Sequence, residues 1–156
     1  MILGIGIDLC DLARIQRSLG GPGGARFRDR VFTPDEQAYC EARKRGRIES
    51  YAARFAAKEA AMKALGTGWA EGVGWHDFEV ARTGHEAPAL VLHGRAATLA
   101  AARGMSRWLV ALSHTGTTAI AWVLVEGDAT AGGASGSGRR RGGAAGGAPS
   151  RPRPRR

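Results

Sequence analysis

The chain has 156 residues, 44% of them apolar, which suits one domain with its own core and no need of disulfide support. Cys10 and Cys40 stand alone, without a CxxC pair or a histidine cluster; this fits a reducing cytosol better than a disulfide framework. The net charge of +9 is uneven: residues 127–156 hold seven arginines and one aspartate, so +6 belongs there and a mild +3 to the rest, enough to favour an acidic partner.

Residues 2–8 alternate, with Leu3, Ile5 and Ile7 on one side and Gly4, Gly6 and Asp8 on the other. This predicts a strand with one apolar and one nearly bare face. The opening is short, lacks a basic lead-in and is broken by Asp8, so it does not read as a signal peptide. No apolar run approaches the roughly 18 residues of a membrane span, and the expectation is a cytoplasmic protein. A helix follows from Asp11, with Leu12, Ile15 and Leu19 at helical spacing and Gly20 to stop it; 20–24 is a glycine loop. Thr33, Pro34 and Glu36 predict a helix start with a capping box. Arg43, Lys44 and Arg45 then load the last turn and Gly46 ends it.

A long helix is predicted over 50–65, closed by Gly66. Strands at 78–82 and 89–93 flank a turn near Gly84, and an alanine-rich helix over 96–103 ends at Gly104. Strands at 108–112 and 119–126 form a hairpin through 113–118. The mixed order predicts an α+β fold: a small, mainly antiparallel sheet packed with one long and several short helices. After Glu126 there is no aromatic or large aliphatic residue, so 1–126 is the expected domain and 127–156 a disordered basic tail.

Glu59 is the most informative residue. At about 100° per residue it falls inside the apolar stripe of Tyr51, Ala52, Phe55, Met62 and Leu65, and Lys63 follows one turn later. A carboxylate on a buried face needs a cation or a tuned pKa. Two readings stand: an internal Glu59–Lys63 pair, or a metal ligand or catalytic base. Asp8 ends the first strand on its glycine face, where a helix, ligand or ion can approach; it either caps the next helix or binds an ion. Two such carboxylates suit one hard cation such as Mg²⁺, which completes its shell with water and phosphate oxygens. Arg54, Lys58 and Lys63 make the same helix cationic, either as a solvated face or as a site for a phosphate-bearing substrate. Gly66-Thr67-Gly68 is a helix cap and turn, or a loop admitting a nucleotide. Ser113 and His114 adjoin on an extended segment and point to opposite sides, which argues against a Ser–His couple.

Taken in order, these segments resemble the holo-acyl-carrier-protein synthase family of 4′-phosphopantetheinyl transferases. The matching pieces are Gly4-Ile5-Gly6-Ile7-Asp8 with Arg14-Ile15, then Phe32-Thr33, then Arg54-Phe55-Ala56-Ala57-Lys58-Glu59-Ala60 with Lys63-Ala64-Leu65-Gly66-Thr67-Gly68, and Ser113-His114-Thr115 before the last strand. The resemblance implies a homotrimer with active sites between subunits, Mg²⁺ on Asp8 and Glu59, and coenzyme A as donor. Arg54, Lys58, Lys63, Ser113, His114 and Thr115 would hold its phosphates and adenosine end, with residues 66–68 near the nucleotide. Glu59 and Lys63 would be the catalytic pair. An acidic acyl carrier protein would dock on Arg14, Arg17, Arg26, Phe27 and Arg28. Met62 takes a place often polar in the family, and the tail exceeds the usual family length. A rival from another class, a nucleic-acid-binding protein acting through its arginine tail, draws on the pI of about 10.9. It leaves Asp8, Glu59 and the Gly-Thr-Gly turn unexplained.

Overall fold

A computed structural model of the protein describes residues 1–68, 70–82 and 87–127. The elements are β1 (Ile2–Asp11), α1 (Leu12–Gly20), α2 (Gly24–Val31), α3 (Pro34–Glu41), α4 (Arg47–Leu65), β2 (Phe78–Ala81), β3 (Ala89–Leu92), α5 (Gly94–Ala102), β4 (Met105–His114) and β5 (Thr118–Gly127). A 3-10 turn, Trp75–Asp77, leads into β2. One antiparallel sheet has the order β1-β5-β4, and β2 and β3 form a second antiparallel pair. This is the α+β architecture that the pattern predicts.

Helix α4 is the core element; most of its 19 residues are buried. Its run of alanines lets the helix lie close on the sheet, and β1 answers with glycine. A Cβ on Gly4 would overlap the Ala64 carbonyl, and one on Gly6 the Ala60 carbonyl, so strand backbone rests on helix backbone. The bare face of β1 is therefore the buried one. Its apolar face points outward: Ile5 is 57% exposed and Trp122, beside Ile7 on β5, is 52% exposed. Leu9 and Leu109 extend this apolar face of the sheet.

Several boundaries differ from the sequence reading. Pairing with β5 carries β1 on to Asp11, and Asp11 rather than Asp8 caps α1, accepting from Ala13 N at 2.8 Å. The capping alternative for Asp8 falls away. Helix α2 was not foreseen, because its short arginine-rich segment follows a glycine run and its apolar side is only Gly24, Phe27 and Val31. The capping box of α3 forms as expected: Thr33 N donates to Glu36 Oε2 at 2.9 Å and Glu36 N to Thr33 Oγ1 at 3.3 Å. Yet α3 stops at Glu41, so Arg43, Lys44 and Arg45 do not load its last turn. Glu41 instead accepts two bonds of 2.7 Å from Arg47 and one of 2.8 Å from Tyr51, which fastens the corner and starts α4 at Arg47. These bonds, Arg47's first, bring the Glu41 carboxyl down to about 2. Strand β5 runs one residue past the expected domain end. The turn near Gly84 and residues 128–156 lie outside the described residues.

The β1–α4 contact gives a direct test. Gly6→Val is expected to lower stability by about 3 kcal/mol, because backbone must move to admit the side chain. A fall in urea midpoint at unchanged slope would measure it; wild-type stability would contradict the contact.

Candidate active site

Asp8 lies two residues beyond Gly6, on the same side of β1, where the strand passes α4. Lys63 donates from Nζ to Asp8 Oδ1 at 2.7 Å and to the Ile7 carbonyl at 3.0 Å. The internal Glu59–Lys63 ion pair, one of the two sequence readings, does not form. Glu59, half-buried, accepts no hydrogen bond and makes no ion pair with any described residue. Its pKa is raised, first by burial and then by the negative charge of Asp8, against the pull of Lys63 and Arg14. These four residues, from β1, α1 and α4, thus share one electrostatic site.

Arg14 lies 5.2 Å from the ring centroid of Phe55, one turn before Glu59 on α4, and Phe27 packs on Phe55 at 6.4 Å. Arg14 and Phe27 of the expected carrier-docking set therefore border the carboxylates. Arg17 and Arg26 are exposed on α1 and α2. Arg28 is engaged with Asp29 at 3.4 Å and lies 4.0 Å from Glu41. Among the described residues no third His, Cys, Asp or Glu joins Asp8 and Glu59. Two carboxylates from separate elements, one without a partner and one already holding a cationic ammonium, fit a hard divalent ion whose other ligands come from substrate and water.

Arg54 precedes Glu59 by five residues, about 140° around the helix, and faces another way. It lines a cleft of about 220 Å³ with Tyr39, Arg43, Ser50, Arg82, Ser113 and His114. Its guanidinium stacks 3.9 Å from the Tyr39 ring centroid, and its buried Nε has no partner among the described residues. This is a basic cleft suited to an anion. Asp8 and His114 share the helix side of the sheet, but β5 lies between their strands and α4 packs over it, so one subunit does not bring them together. Tyr39, Arg43, Ser50 and Arg82 were missed as site residues. They come from separate segments and share no spacing that a sequence reading could find.

Lys58 requires a correction. It is 0% exposed and makes an ion pair with Glu36 Oε2 at 2.7 Å and hydrogen bonds to the carbonyls of Phe78 at 2.7 Å and Trp75 at 3.0 Å. All three ammonium protons are used, so none is left for a substrate phosphate. Burial lowers its pKa while Glu36 opposes the shift. With Glu36 Oε1 accepting from Val80 N at 2.9 Å, the pair ties α3, α4 and β2 together. Gly66 and Gly68 form the turn after α4 with φ of 81° and 54°, and Thr67 is buried between them. Thr115 Oγ1 accepts from the backbone of Thr117 and Thr118 inside the hairpin turn. Ser113 pairs with Ile120 and His114 with Ala119, on alternate sides of β4. A larger apolar cavity of about 600 Å³, between β3, α5 and β4, contains no charged side chain.

Paired carboxylates with a lysine lie on one side of a core helix and an arginine–histidine cleft on the other, an arrangement whose charges suit phosphate-bearing substrates. Residues 4–121 match the 4'-phosphopantetheinyl transferase superfamily, and the chain belongs to it. A holo-[acyl-carrier-protein] synthase of Anaeromyxobacter dehalogenans is 54% identical over 129 residues, covering 81% of this chain and 98% of that protein. The crystal structure of the synthase from Neisseria meningitidis is similar with a TM-score of 0.72 and 32% identity, over 81% of this chain and 99% of that one. The synthase from Bacillus anthracis, in complex with CoA (3',5'-ADP), is similar with a TM-score of 0.66 and 33% identity, over 82% and 99%.

The shared field around Glu59 predicts shifts of opposite sign. In metal-free protein, Asp8→Asn is expected to lower the Glu59 pKa, because a negative neighbour is removed, and Lys63→Met to raise it. NMR titration of the carboxyl carbon would read both; equal pKa values in all three proteins would contradict the arrangement.

Proposed function

We propose that this chain transfers the 4′-phosphopantetheine group of coenzyme A to a serine of an apo acyl carrier protein, releasing adenosine 3′,5′-bisphosphate. The carrying observation is the meeting of Asp8 and Glu59 across the β1–α4 contact, in a chain that spans nearly the full length of relatives bearing that activity's name. The carrier's serine oxygen attacks the phosphorus that bears pantetheine, and the bond from that phosphorus to the bridging oxygen breaks. The bridging oxygen leaves with the adenosine bisphosphate. The nucleophile belongs to the partner, so this chain needs none.

Asp8 and Glu59 would hold Mg²⁺, which when bound supplies Lewis-acid neutralisation of the pyrophosphate oxygens. Lys63 adds a fixed positive charge beside them. Glu59, directly or through a water beside it, takes the serine proton. Arg54, His114 and the adjoining Ser113 and Thr115 hold the nucleotide's phosphate end, and the turn at Gly66–Gly68 lies against the nucleotide. Arg14, Arg17, Arg26 and Arg28 steer the acidic carrier by complementary charge, and Phe27 offers it an apolar contact.

Within one subunit α4 separates the Arg54–His114 cleft from the carboxylates. A homotrimer joined through the exposed apolar face of the sheet would let the cleft of one subunit complete the carboxylate site of its neighbour. Ile5, Ile7, Leu9, Leu109 and Trp122 on that face support this reading. The reading also makes the protein cytoplasmic; among the described residues no helix is long and apolar enough to cross a membrane.

With coenzyme A, Mg²⁺ and apo carrier protein, the carrier should gain the mass of phosphopantetheine. Glu59→Gln is expected to lower kcat/KM by about a hundredfold or more, the scale of losing one electrostatic stabiliser; full activity in that variant would end the assignment. Trp122→Glu is expected to give monomers by light scattering and to lose activity with them. A fully active monomer would contradict the shared site.

A further inference from the structure

Lys63 holds its ammonium against one of the two candidate metal-binding carboxylates. Its ammonium lies 2.7 Å from Asp8 Oδ1, on another element, although Glu59 is one turn away on its own helix and is the ordinary i, i+4 partner. A second bond, to the Ile7 carbonyl at 3.0 Å, fixes it over the end of β1. The Lys63 side chain is nonetheless 52% exposed, whereas Asp8 is 17% exposed. Its ammonium can swing into solvent, which that of the enclosed Lys58 cannot, and the shielded Asp8 carboxylate it leaves then calls for another cation.

We propose that Lys63 is a latch on the metal site: in the unliganded enzyme it holds the Asp8 carboxylate, and it moves to the pyrophosphate oxygens of coenzyme A when a divalent cation takes its place. The inference rests on Asp8 and Glu59 being the metal ligands. A divalent ion at Asp8 and an ammonium 2.7 Å from the same carboxylate oxygen repel each other, so the two compete. The pyrophosphate offers the displaced ammonium a new anion. Coenzyme A and the metal therefore strengthen each other's binding through Lys63, by the reciprocity of linked equilibria. The free enzyme binds metal weakly, and loading follows substrate.

The test is titration of the full-length protein with Mn²⁺, read by the electron paramagnetic resonance signal of the free ion, with and without coenzyme A. Without coenzyme A, Lys63→Met is expected to bind Mn²⁺ about tenfold more tightly than wild type, within the usual range of such couplings. Lys63→Arg, which keeps the cation, is expected to remain weak. Coenzyme A should tighten Mn²⁺ binding more in wild type than in Lys63→Met. Arg14→Met is the control, since Arg14 bears on Glu59 but does not touch Asp8. Equal Mn²⁺ affinity in wild type and Lys63→Met overturns the latch and leaves the ligands standing, as does equal tightening by Arg14→Met. Undiminished Mn²⁺ binding by Asp8→Asn overturns the ligand assignment and the latch with it. An unchanged melting temperature in Lys63→Met confirms that the fold is intact.

Discussion

The site depends on a contact with no side chain in it. Gly4 and Gly6 of β1 lie against the backbone of Ala64 and Ala60 of α4, too close for any Cβ. That approach brings the end of β1 to the last two turns of the helix. Asp8, the next residue on the same face, then meets Lys63 directly and feels Glu59. A larger residue at either glycine would lift the strand and separate two carboxylates whose proposed chemistry requires them to share an ion. The close packing that builds the core is the same packing that builds the site.

Beyond Arg47 at its start, helix α4 carries three cations with three different fates, and burial explains each. Lys58 is enclosed and has its protons taken by Glu36 and two carbonyls, so it works as a tie between elements. A buried pair of this kind does little for net stability against an apolar substitute, but losing one partner strands the other. Arg54 is almost wholly buried, stacked on Tyr39, and lines a cleft. Lys63 keeps half its surface in solvent and holds Asp8 by a bond that can be exchanged. Lys58 is thus spent inside the core, while Arg54 and Lys63 each border open space.

Much of this was legible in the chain. The capping box at Thr33 and Glu36 is a local pattern and formed as read. The glycine after α4 and the hairpin of β4 and β5 are equally local. Glu59 stood out because a carboxylate interrupts an apolar stripe, and Asp8 because an acid follows bare glycines. Where the reading failed, a distant partner decided. Pairing with β5 lengthened β1, the Glu41–Arg47 ion pair shortened α3, and Glu36 claimed Lys58 across 22 positions of sequence. The rest of the basic cleft, beyond Arg54, Ser113 and His114, was invisible because Tyr39, Arg43, Ser50 and Arg82 come from α3, α4 and the loops beside them.

The sequence by itself determined the type of each main element except α2, the two unusual carboxylates and the family, since periodicity, caps and short motifs are carried by neighbouring residues. Only the tertiary structure decided which face of β1 is buried, which partner Lys63 takes, and that Lys58 is a core tie. Alternation shows that a strand has two faces but cannot say which one a helix will cover. A lysine on a helix can reach several acids, and the choice among them depends on distances that exist only once the strand and helix have packed.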